Sequence, residues 1–206
     1  MRLIQPIILI PQGEGTEEQF NAANIVGWHI MQFWESRYRP DLMVYWLRPL
    51  RPPCPEDGEY FGLSTDLRSD DTVWSRTKQW IKDNGYADQV ARSYGVPPED
   101  IFFVVFLKDY SNPVDDNMEV ASFWGWGSIG ASNVPLRVAV IDMDLLDDLI
   151  GVTLEALDIK ANKAVAIVQH EILHLMGFWH TPEPFPNLSW HWWLYPAVLI
   201  PPQSAT

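Results

Sequence analysis

Seven consecutive apolar residues, Ile101 to Leu107 (IFFVVFL), constrain the fold more than any other stretch. A strand with one wet face alternates apolar and polar side chains. An unbroken run of aromatic and β-branched residues reads instead as a strand covered on both faces. Leu3 to Ile10, Leu42 to Leu47 (LMVYWL) and Leu136 to Ile141 (LRVAVI) read as further strands. The glycine-rich FWGWGSIGAS reads as a bulged or edge strand. Between them, Thr16 caps an acidic first turn and helical periodicity runs to about Tyr38, before Pro40. Residues 48–71 hold the prolines of RPPCPEDG and read as a long loop. Thr72 to Tyr94 is amphipathic, with a break expected at Asn84-Gly85, and DMDLLDDLIGVTLEALD reads as a loop or short helix. The order strand, helix, strand, helix, strand, strand, strand, helix predicts an α+β fold of mixed α/β layers, a sheet with helices packed on it.

At 206 residues the chain is long enough for one core, or one core with a small flap. The net charge of −13 argues against nucleic acid and against an anionic membrane surface, since both demand clustered Lys and Arg. Cys54 is the single cysteine, so no intramolecular disulfide forms. No stretch is long and apolar enough to span a bilayer. The opening MRLIQPIILIPQGEG is interrupted by Gln5 and Pro6 and followed by no small-residue cleavage site, so it reads as a buried strand rather than a leader. That favours the cytoplasm, while a chain trimmed of its leader would be secreted.

The chemistry concentrates in QHEILHLMGFWH, which holds three of the five histidines. Val165, Val168, Ile172 and Leu175 form an apolar stripe of helical period, predicting a helix over about 162–177. His170 and His174 then lie one turn apart on one face, able to meet the same ion. Glu171 projects beside that ion, where it can hold a water. Gly177 stops the helix, and the chain can turn so that His180 returns as a third ligand. Three neutral nitrogens leave one position open, which separates catalytic from structural zinc.

HEILHLMGFWH, His170 to His180, resembles the HExxHxxGxxH motif of the metzincin clan of zinc metallopeptidases. The resemblance implies a zincin-like twisted sheet of about five strands, one antiparallel at the edge, packed on two to three helices including the active-site helix. It implies His170, His174 and His180 as ligands of one catalytic Zn2+ and Glu171 as general base and acid. It also implies one catalytic domain over 1–206, with an upper subdomain at 1–180 and a short lower subdomain at 181–206. Metzincins carry a methionine turn beneath the metal, and no methionine follows Met176 here. WLYPAV is similar to the matrixin turn, with Leu194 in the methionine position before Tyr195 and Pro196, and a Leu-for-Met swap preserves volume. Tyr195 then becomes a candidate for assisting the oxyanion. The strand before the active-site helix, residues 125–132, would take an extended peptide by edge addition, and Trp190, Trp192 and Trp193 could wall a side-chain pocket.

These readings predict a monomeric zinc endopeptidase acting on peptide or protein substrates. The alternative is a catalytically idle, zinc-containing peptide- or protein-binding module, to which the missing methionine and short tail speak. A tryptophan-lined carbohydrate binder has only the eleven tryptophans in its favour. Asp142, Asp144, Asp147 and Asp148 are oxygen ligands of the kind calcium takes, or equally a solvated turn and helix start. His29 and His191 read as packing or surface residues. Cys54 resembles only loosely the matrixin cysteine switch PRCGVPD.

Overall fold

A computed structural model describes residues 2–36, 44–63, 70–110, 125–127, 136–151 and 154–176. In chain order the elements are β1 (Arg2–Leu9), α1 (Glu17–Ser36), β2 (Val44–Trp46), α2 (Asp70–Asp83), α3 (Tyr86–Tyr94), β3 (Ile101–Leu107), β4 (Gly125–Gly127), β5 (Arg137–Asp142), α4 (Asp144–Asp147) and α5 (Leu154–Leu175). Four strands run parallel. β1 pairs with β2 with Arg2 opposite Val44, and with β3 with Leu3 opposite Ile101. β3 pairs with β5 with Phe102 opposite Arg137. The three residues of β4 pair with the outer side of β5 in the opposite direction, so the order is β2-β1-β3-β5-β4.

Every residue of β3 is buried. Side-chain alternation sends Phe102, Val104 and Phe106 to one face with Ile4, Ile8, Ala139 and Ile141, where α1 and α5 cover them. Phe103, Val105 and Leu107 go to the other face with Ile7 and Val140, beneath α2 and α3. An apolar run covered on both sides thus sits between two helical layers. Each fully buried Phe or Val there contributes roughly 1.5–3 kcal/mol of transfer free energy.

Local chemistry sets the element ends. Thr16 and Gln19 form a reciprocal cap at the start of α1: Gln19 N–H donates to Thr16 Oγ1 at 3.2 Å, and Thr16 N–H donates to Gln19 Oε1 at 3.0 Å. Gly85, at φ 67, takes the left-handed conformation that separates α2 from α3, at the expected break. The Trp74 indole N–H donates to the Val138 carbonyl at 2.8 Å, tying α2 to β5.

Two boundaries differ from expectation. α5 starts at Leu154, not near 162, because LEALDIKANKA is built of strong helix formers and its Leu154, Leu157 and Ala161 already carry the apolar stripe that Val165 continues. The second strand is confined to Val44–Trp46, while Leu42 and Met43 lie outside the described residues. Beyond it, Leu47 and Leu50 still donate to the Ile4 and Pro6 carbonyls, at 2.8 and 2.9 Å. Among the described residues no helix is long and apolar enough to cross a membrane.

Candidate metal centre

α5 brings the two helical histidines together. His170 Nε2 and His174 Nε2 are 2.9 Å apart, with ring centroids at 4.5 Å and planes at 87°. Both ring nitrogens therefore address one point on the helix surface. The separation lies within what two imidazoles can span when each is about 2.0–2.1 Å from one zinc ion. Two neutral imidazoles so close either share one proton between the nitrogens or turn both lone pairs to a cation. Two imidazoles facing one point are donors of the kind that zinc takes. His174 and Glu171 are each 6% exposed, so both side chains are shielded from bulk water.

Core packing fixes the direction in which this face points. Val165, Val168, Ile172 and Leu175 are buried against the sheet and α1 on the opposite side of α5. The histidine-bearing end is anchored by two arginines from strand starts. Arg137 Nη1 donates to the Leu175 carbonyl at 2.6 Å, and Arg2 Nη1 lies 4.0 Å from Met176 Sδ. Cations at a helix C-terminus satisfy its last carbonyls and oppose its dipole. Burial, and then the neighbouring Arg2, hold the Arg137 pKa below its ordinary value. Arg137 also lies 5.2 Å from the Phe102 ring centroid, a cation–π distance. Sequence reasoning missed this anchor. Its only trace is a cation placed at the start of the apolar run of residues 138–141. β4 also packs against α5, which brings the Gly125–Gly127 edge to the helix that carries the histidines.

The remaining predicted ligand, His180, lies outside the described residues, as do Gly177, the Leu194-Tyr195-Pro196 turn, His191 and the tail tryptophans. Among the described residues, no three His, Cys, Asp or Glu side chains gather as a metal-binding group.

The aspartates considered for calcium have other employment. Asp142 Oδ1 accepts from the Asp144 N–H at 3.0 Å. Asp147 accepts from Gln19 Nε2 at 2.8 Å and from Lys108 Nζ at 3.0 Å, and Asp144 stands 3.7 Å from the same ammonium. The Asp147 hydrogen bond, against the opposing effect of burial, raises the Lys108 pKa. This cluster closes the C-terminal ends of β3 and β5. His29 sits in α1 with its ring edge-on to Trp28 at 4.8 Å.

Cys54 is 3% exposed and packs with the α2 and α3 layer, across the sheet from α5. Its Sγ lies 3.4 Å from Glu56 Oε2, which also accepts from the Trp80 indole at 2.9 Å. Burial first, then the Glu56 hydrogen bond, pushes the thiol up to about 11. A protonated thiol on the wrong face does not suit a cysteine switch, so the loose likeness to PRCGVPD carries no switch role.

Comparison with protein-family models, with curated proteins and with solved structures returns no match.

Proposed function

We propose that the chain is a zinc-dependent endopeptidase of metzincin type, working as one catalytic domain. The observation that carries the reading is the convergence of His170 and His174 on one point at 2.9 Å, with buried Glu171 beside them. The strand order β2-β1-β3-β5-β4, with its antiparallel outer segment, supports a metzincin-like sheet. The placement of α1 and α5 on one face supports it too. In this reading His170, His174 and His180 hold the ion, which would polarise a scissile carbonyl and make a bound water acidic near neutral pH.

The protein's own residues do the remaining work. Glu171 takes the proton of the attacking water and passes it to the departing amine. Its shielded position keeps the carboxylate from losing that proton to bulk solvent. An extended substrate adds to the β4 edge by main-chain hydrogen bonds, which hold its peptide bond across the histidines. Tyr195 is proposed to donate to the oxyanion. Peptide and protein are therefore the substrate class.

Zinc analysis and hydrolysis of a mixed peptide library test the proposal, with wild type beside Glu171→Gln. Zinc in both and cleavage by wild type alone is the expected result, with the variant slower by roughly 10²–10⁴-fold. Equal cleavage by the two removes Glu171 as the base. Bound zinc without cleavage of any peptide favours the idle binding module.

A further inference from the structure

At the sheet edge remote from β4, a cavity of about 500 Å3 opens between α3, the first turn of α1 and the segment that follows β2. Its volume falls in the roughly 300–1,000 Å3 range of small-molecule sites. Gln5 lines it and is 3% exposed. Gln5 Nε2 donates to the Pro6 carbonyl at 3.0 Å and to the Arg48 carbonyl at 2.9 Å. Both amide hydrogens are thereby spent, which fixes the carboxamide orientation, because a flipped group would set oxygen against two acceptors. The Gln5 carbonyl oxygen is what remains for the cavity.

Two guanidinium groups stand over the same wall. Arg48 and Arg51 each lie 5.2 Å from the Phe20 ring centroid. Arg51 is committed to Glu17 at 2.8 Å and to the Gly15 carbonyl at 3.4 Å. Arg48 has no ion pair among the described residues. In a chain with 14 basic and 27 acidic residues, a guanidinium held on an aromatic wall and paired with no carboxylate among the described residues suits an anion. Glu14 and the Gln5 carbonyl supply acceptors, and Leu50 and Val90 supply apolar wall.

We propose that this cavity binds a zwitterion of amino-acid or dipeptide size. Its carboxylate pairs with Arg48, its ammonium is received by Gln5 Oε1 and Glu14, and its apolar body lies against Leu50 and Val90. The site is separate from the histidine centre: none of the residues lining it lies in α5, and Gln5 alternates to the face of Ile7 and Leu9 beneath α2 and α3.

Isothermal titration of the dipeptide Ala-Leu into the Glu171→Gln protein tests it, since that background spares the probe from hydrolysis. Saturable one-to-one binding is expected, weakened about tenfold or more by C-terminal amidation, by N-acetylation or by Arg48→Gln, each of which removes a charge-assisted hydrogen bond. Arg48 is exposed, so an unchanged melting temperature will show that its replacement leaves the fold intact. Glu14→Gln should weaken Ala-Leu but not its N-acetyl form. His174→Ala should change nothing. Absence of saturable binding, equal affinity for the amide, or loss with His174→Ala but not with Arg48→Gln overturns the site. The titration reads binding alone, so its outcome is independent of whether the protein cleaves peptides.

Discussion

Cys54 and His174 are both almost fully buried, yet burial has opposite consequences for them. The Cys54 thiol, pushed up to about 11, stays protonated at neutral pH and is a poor nucleophile. Native protein is expected to resist a thiol-reactive probe around pH 8 and to react fully once unfolded, so rapid labelling of the native state would contradict the buried thiol. The same shift has a sign for stability. A folded pKa raised from 9.0 to about 11 gives a contribution fully present below pH 9 and lost as pH rises through that window. Denaturant titrations at increasing pH should show this alkaline decline, flattened in Cys54→Ala. His174, by contrast, faces a nitrogen partner 2.9 Å away and is suited to a cation. Equilibrium dialysis should show His174→Ala losing more zinc affinity than the roughly 10–100-fold typical of changes outside the ligand set. Unchanged affinity would remove this histidine as a ligand.

The helices depend on a few close contacts that propensity does not reveal. Gly27 is buried in the middle of α1, and a Cβ added there would overlap the Trp46 indole. Gly27→Ala gains about 1 kcal/mol of helix propensity, but overpacking of this kind costs about 1–3 kcal/mol. A lower melting temperature is therefore expected, and a higher one would mean that α1 and β2 separate easily. Arg137→Met keeps the aliphatic stem but leaves the Leu175 carbonyl without its donor. The cost is on the order of 1–3 kcal/mol, with faster amide exchange in the last turn of α5. The reach of α5 shows what sequence could and could not tell. Its apolar stripe from Val165 made the histidine face legible, because period alone places His170 beside His174. Its first turns were legible by the same period, since Leu154, Leu157 and Ala161 lie on the stripe that Val165 continues, but the boundary expected near 162 passed over them.

At the scale of the molecule, the unbroken apolar β3 announced its two covered faces, and parallel strands separated by helices announced the layers. Sequence did not say which helices take which face. That depends on register: Ile4 and Ile8 meet α1 and α5, while Ile7 and Leu9 meet α2 and α3. Nor did it disclose the cavity beside Arg48, since Gln5, Phe20, Arg48 and Val90 become neighbours only when β1, α1, β2 and α3 assemble. The histidine centre was legible because its spacing is local. The proposed zinc centre requires three imidazoles meeting at one ion, of which α5 presents two. X-ray absorption at the zinc edge, on metal-loaded wild type and on His180→Ala, measures this directly. Three imidazole shells in the wild type and two in the variant are predicted. No zinc uptake, or the same imidazole count in both proteins, would contradict the account.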